Sequence, residues 1–225
     1  MGLPDILKAE QTDAAADLVR AYYKDTFKHG RPRSGSRFDD WAGGGDAPAI
    51  ANKVTADDLI AVSFLSVEIK PQAAIGLLET HAARVSELLE AIPTDLDLAD
   101  ADIEVLNAPD SPATELWDLV RGKRHGKWGV GQTTASKILA RKRPKLIPIY
   151  DSVVGPLMGL KHSGCQWQVW HEALADGNDL HQRLETIRRK SGAPEKLSGL
   201  RIMDVALWMD GKRKGLKVLN DDPAE

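Results

Sequence analysis

Two glycines around one valine, Gly129-Val130-Gly131, precede a polar, helix-forming run, Gln132-Thr133-Thr134-Ala135-Ser136-Lys137. Glycine takes positive φ and lets a second backbone come close. A tight turn followed at once by a helix aims several amide N–H groups outward together, which makes an anion site. The flanking residues are basic. From Leu119 to Tyr150 there are nine Lys or Arg and no acid: Arg121, Lys123, Arg124, Lys127, Lys137, Arg141, Lys142, Arg143 and Lys145. With Lys137 and Arg141 read as facing solvent, the anion becomes a phosphate. Gly129, Val130, Gly131, Gln132, Thr133, Thr134, Lys127, Lys137 and Arg141 are then the residues expected on a DNA backbone, held without reading base sequence. A glycine-rich turn between two ordinary helices, with the cations on a solvated face, accounts for the same residues without a ligand.

Other chemistries lack their residues. His29, His81, His125, His162, His171 and His181 show no metal-ligand spacing, and Cys165 is alone. No metal site is expected. Gly43–Gly45 is a run of three with no following Lys-Ser or Lys-Thr, so no phosphate-binding loop of the nucleotide type is present. No heptad run points to a coiled coil.

The elements that must carry this stretch read as helices joined by short linkers. Thr12 could cap a helix over Asp13–Phe27. The composition then changes: 29–52 holds five glycines, two prolines and the arginines Arg31, Arg33 and Arg37, without a helical period, and reads as a long loop. Thr55 and Asp58 form a capping-box pattern opening a helix through the first half of IAVSFLSVEI. Pro71 starts a helix to Leu78. His81–Ile92 has helical spacing and stops at Pro93. After an acidic stretch, Asp95–Glu104, Ser111 and Pro112 open the helix that leads into the glycine turn. Ser152–Leu160, Trp167–Ala175, Leu180–Arg189 and Leu200–Met209 complete an all-α chain. Arg201 and Asp204 on the last of these read as a structural ion pair. The expected organisation is a single helical domain over 1–225, with two sub-lobes at about 1–110 and 111–218 and a frayed acidic tail over 219–225.

The helix, the glycine turn and the Thr-Ala-rich helix resemble the helix-hairpin-helix motif of the endonuclease-III-like DNA glycosylase superfamily. Its members typically carry L-P-G-V-G-x-[K/S]-T-A and, after a helix and a loop, V-D-T-H-V. Gly129–Ala135 matches the first pattern and Pro148-Ile149-Tyr150-Asp151-Ser152-Val153-Val154 resembles the second. Thr133 and Asp151 lie 18 residues apart, the separation between the family's lysine position and its aspartate. The resemblance covers about residues 116–154. It implies a compact helical, glycosylase-like fold on double-stranded DNA, with Asp151 as the catalytic carboxylate that excises a damaged or modified base. As the base departs, positive charge builds on the sugar, and a carboxylate beside the anomeric carbon stabilises it and orients water. Tyr150 and Trp128 are the candidates for a pocket around the extruded base, with Trp167 and Trp170 behind them.

Departures from the family shape the expected activity. Lys127-Trp128 replaces Leu-Pro before the hairpin. Thr133 stands where bifunctional members have their lysine, so no imine forms there and no strand cleavage is expected. Lys137, one turn on, reads as a phosphate or solvent contact. One cysteine cannot hold the iron–sulfur cluster frequent in the family. No cofactor is expected, although the hairpin could hold a monovalent cation. Asp151 also fits a plain helix N-cap. Two alternatives stay open: a catalytically silent helix-hairpin-helix DNA-binding protein, and a protein-interaction module with a vestigial hairpin.

The chain has 225 residues, 42% hydrophobic and 28% charged, with a net charge of −3. This composition fits a soluble globular chain with a full core and one unpaired cysteine. No apolar run spans a bilayer and the N-terminus lacks a secretory pattern, so the expected place is the cytoplasm. The −3 conceals +9 over 119–150, which leaves −12 elsewhere. A polyanion responds to the local field, so neutralising Arg141, Lys142 and Arg143 should weaken DNA binding most.

Overall fold

Caps and prolines open several of the helices. The structure is a computed structural model that describes residues 2–24, 30–123, 128–175 and 179–217. Its α-helices are α1 (Thr12–Lys24), α2 (Ala56–Ser63), α3 (Pro71–Ile75), α4 (Ala82–Glu90), α5 (Ile103–Asn107), α6 (Pro112–Val120), α7 (Gln132–Lys142), α8 (Val154–Leu157), α9 (Gln166–Ala175), α10 (Leu180–Ser191) and α11 (Gly199–Arg213). No β-strand occurs among the described residues. The all-α expectation holds.

Thr55 and Asp58 cap α2 as expected. Thr55 Oγ1 accepts from the Asp58 amide at 3.2 Å and Asp58 Oδ2 accepts from the Thr55 amide at 2.9 Å. Ser111 Oγ accepts from the Thr114 amide at 3.0 Å, with Pro112 at the first position of α6. Ser198 caps α11 in the same way. Thr12 differs from expectation: its hydroxyl donates to Ala9 O, closing a preceding turn. The helix from Pro71 ends as α at Ile75 and widens into a π-turn over Gly76–Thr80. A Cβ on Gly76 would lie 2.1 Å from the Trp128 ring, so the bare backbone there is what admits the tryptophan. The acidic stretch contains a short helix the sequence did not announce, α5, capped by Asp102. The sequence Ser152–Leu160 yields only the single turn α8. The tail beyond Lys217 lies outside the described residues.

One apolar core runs from Ile6 to Met209. The first helix packs on the last two, α1 against α10 and α11, while α7 sits between α2 and α6. Helix α7 is buried on nearly every side, from Thr134 to Lys142. That position places the chemistry-bearing stretch inside the molecule.

Candidate functional site

The turn opens as expected at Gly129, with φ +81°. A Cβ there would meet the Lys70 side chain at 2.5 Å. Gly131 is extended and forms the N-cap of α7 without a side-chain cap. Val130 and Thr134 are buried, and Gln132 and Thr133 are half-buried. Gln132 Oε1 accepts from the Ser163 amide at 2.9 Å, tying the loop after α8 to the turn. Lys127 lies outside the described residues.

The cations of α7 overturn the outward reading. Lys137, Arg141, Lys142 and Arg143 are 2%, 3%, 1% and 1% exposed. Lys137 Nζ donates to Leu65 O at 3.0 Å. Arg141 donates to Asp58 Oδ1 at 3.2 Å, to Trp41 O at 2.6 Å and to Phe38 O. Lys142 Nζ donates to Asp58 Oδ2 and Ile50 O, both at 2.9 Å. Arg143 reaches Ile92 O, Ala51 O, Lys142 O, Asn52 Oδ1 and Leu89 O. Burial pushes the Arg143 pKa down to about 10 and lowers that of Lys142, with Asp58 opposing. The physical reason for the inward turn is the 38–52 loop. It has no α-helix to satisfy its carbonyls, and a buried carbonyl needs a donor. Arg141, Lys142 and Arg143 supply those donors, and Lys137 does the same for Leu65 O just after α2. Lys137 and Arg141 are therefore not placed for a DNA backbone. Among the described residues, exposed cations near the turn include Lys70, beside Gly129, and Lys161, two residues before Ser163.

Asp151 is positioned by a short relay. Ser136 Oγ accepts from the Tyr150 amide at 2.9 Å and donates to Thr133 O at 2.9 Å, its oxygen also lying 3.2 Å from Tyr150 O. Gln166 Nε2 donates to Pro148 O at 3.0 Å. These bonds fix the segment before Asp151 against α7 and the start of α9. Asp151 is 5% exposed. Its Oδ1 accepts from the Val153 and Val154 amides at 2.9 and 2.8 Å, at the start of α8, whose N-cap position is Val153 rather than Asp151. It also lines a cavity of about 140 Å³ with Lys137, Asp204, Arg201, Arg33, Tyr22, Phe64 and Trp208.

The expected pocket aromatics lie elsewhere. Trp128 is in the core, its Nε1 donating to Val120 O at 2.7 Å and its ring edge-on to His81. Tyr150 packs on Gly155. Trp167 stands edge-on to Trp117, and Trp170 is fully buried. The aromatic walls are Tyr22, Phe64 and Trp208, with Tyr22 and Trp208 edge-to-face at 5.9 Å. Arg33 and Gly35 bring the glycine-rich loop to the cavity. A Cβ on Gly35 would sit 2.1 Å from Tyr22 Oη, a close approach that the Gly content of the loop hinted at without locating.

The Arg201–Asp204 pair is present and does more than brace α11. Arg201 donates to both oxygens of Asp39 at 3.1 and 3.0 Å, to Tyr22 Oη at 3.2 Å, to Gly35 O at 3.2 Å and to Asp204 Oδ2. Burial opposes its charge, but Asp39 foremost outweighs that and its pKa rises. Asp204 is 4% exposed, and its Oδ1 has no hydrogen-bond partner among the described residues. Burial pushes the Asp204 pKa up to about 7; Arg201 pulls the other way and Asp151 adds to the rise. The native state thus holds a proton on Asp204 that the unfolded chain releases near pH 4. Stability contributed by that proton is present at low pH and is lost as pH rises from about 4 to about 7. Asp204→Asn is expected to flatten this slope, raising the unfolding midpoint at pH 8 while leaving it near wild type at pH 4. Urea titrations at the two pH values check this.

The fold and site define an all-helical protein with a cavity lined by two carboxylates, Asp151 and Asp204. The chain belongs to the family described as of unknown function, DUF6308, which matches residues 15–211. No curated protein and no solved structure matches it. Among the described residues, no group of three or more His, Cys, Asp or Glu could hold a metal ion, and no helix is long and apolar enough to cross a membrane.

Proposed function

We propose that the protein is a monofunctional DNA N-glycosylase of helix-hairpin-helix type, excising a damaged or modified base with Asp151. The observation that carries this reading is the position of Asp151. The residue that matches the family aspartate lies at the edge of a cavity with aromatic walls, rather than closed off in the core. Two amides hold its Oδ1 in place, and a preorganised carboxylate stabilises developing positive charge better than a mobile one. Lys137, held by Leu65 O, is a fixed cation across the same cavity. The hairpin amides and Lys70 are the groups best placed for a phosphate, in place of Lys137 and Arg141.

Asp151→Asn tests the reading. Base release from modified-base duplexes is expected to fall at least about 100-fold, with DNA affinity within about threefold of wild type. Binding should weaken steeply with added salt. If wild type and variant bind alike and neither releases a base from any duplex of a broad panel, the protein is a silent DNA-binding member instead.

A further inference from the structure

Asp204 is the group in the cavity that the resemblance does not use. It lies on α11, well outside residues 116–154, and its carboxyl is asymmetric. Oδ2 accepts from Arg201, while Oδ1 has no partner among the described residues. A buried polar atom left without a partner costs about 1–3 kcal/mol, so an atom kept in that state points to a ligand. The surroundings decide which ligand. Arg201 on α11, Lys137 on α7 and Arg33 and Asp39 on the loop surround the carboxyl, with Asp151 before α8 and Tyr22 on α1. Oδ2 is occupied as an acceptor, so a proton on Asp204 resides on Oδ1 and makes it a donor. The cavity of about 140 Å³ is close to the roughly 150 Å³ that accommodates one benzene ring. Tyr22, Phe64 and Trp208 supply aromatic faces to its wall, and Arg33, Lys137, Asp151, Arg201 and Asp204 supply polar groups.

We propose that this cavity receives a single-ring planar base, a pyrimidine, and that Asp204, through Oδ1, donates a hydrogen bond and then its proton to a ring carbonyl of that base. This rests on the glycosylase reading for its reaction step but not for its binding. In the step, the bond from sugar C1′ to base N1 breaks, and its electron pair passes into the ring and onto the O2 carbonyl oxygen. The Asp204 proton goes to that oxygen. The oxygen of one water forms the new bond to C1′, and Asp151 takes the proton that water gives up. The two carboxyls thus exchange one proton in net terms and return to their starting states through solvent.

Calorimetry on the full chain tests this with free uracil, thymine and cytosine as probes and adenine as the two-ring comparison. Uracil and thymine are expected to bind, and adenine at least about tenfold more weakly. Affinity should be flat below pH about 7 and fall about tenfold per unit above it, with one proton taken up per base bound in that range. Asp204→Asn keeps a neutral donor, so its affinity is expected to be independent of pH. Asp204→Leu is expected to lose at least about tenfold at pH 6. A pH dependence that persists in Asp204→Asn overturns the proposal, as does the absence of binding by every pyrimidine. Pyrimidine binding without base release from DNA would uphold the Asp204 proposal and overturn the glycosylase reading. Base release without pyrimidine binding would do the reverse.

Discussion

Asp58→Ala is expected to lower stability by about 3–5 kcal/mol, a large share of the roughly 5–15 kcal/mol that holds a domain folded. Asp58 is fully buried and does three jobs with two oxygens. It caps α2 through the Thr55 amide, pairs with Arg141 and pairs with Lys142. Alanine removes the cap, worth about 1 kcal/mol, and leaves two buried cations facing each other without a counter-ion. Removing one partner of a buried pair costs more than the pair ever contributes, because the remaining charge stays out of water. Urea unfolding measures the loss, with Asp17→Ala as the comparison: Asp17 is exposed and pairs with exposed Arg20, so its removal should cost under about 1 kcal/mol. Equal midpoints for the two variants would contradict the role given to Asp58.

Replacing Arg141, Lys142 and Arg143 together by glutamine is expected to unfold the protein at room temperature. From the sequence this was a DNA-binding experiment, and the structure turns it into a stability experiment. The three side chains donate to backbone carbonyls of Phe38, Trp41, Ile50, Ala51, Leu89 and Ile92. The bonds to Phe38, Trp41, Ile50 and Ala51 hold the 38–52 loop, and those to Leu89 and Ile92 tie Arg143 to the end of α4. A shorter neutral amide cannot reach that set, and each orphaned buried group costs about 1–3 kcal/mol. Asp58 would also be left buried and unpaired. Circular dichroism and thermal melting report the loss of fold. The exposed triple Lys53, Lys161 and Lys196, neutralised in the same way, should stay within about 0.5 kcal/mol per site. A folded, cooperative Arg141/Lys142/Arg143 triple would show that the loop does not depend on these donors.

These residues also mark where sequence reading stops. Thr55 with Asp58, Ser111 with Pro112, and Pro71 were legible because capping is a local matter of three or four residues. The all-α class was legible for the same reason. The facing of α7 was not. Charge normally seeks water, so Lys137 and Arg141 read as outward. What turns them inward is the unmet demand of carbonyls about 70 to 100 residues away, which no periodicity encodes. The same holds for the site. Asp151 stood out through its spacing from the glycine turn. Tyr22, Arg33, Phe64, Asp204 and Trp208 come from helices and a loop distributed along the whole chain, and only folding brings them together. The ion pair of Arg201 with Asp204 was readable at a spacing of three. Its connection to Asp39 and to the cavity was not. The charge asymmetry itself is real, but most of its described cations serve the interior rather than a docking face.

The central claim is that Asp151 directs water onto the sugar as a base leaves. The most direct measurement is a single-turnover reaction on modified-pyrimidine duplexes in water enriched in heavy oxygen, followed by mass spectrometry of the products. The account predicts an unlabelled free base, an intact strand and an abasic sugar carrying one heavy oxygen at C1′, with the free base and the abasic sugar lost in Asp151→Asn and the strand still intact. Strand cleavage through a covalent protein–sugar adduct, or no free base from any duplex, would contradict it.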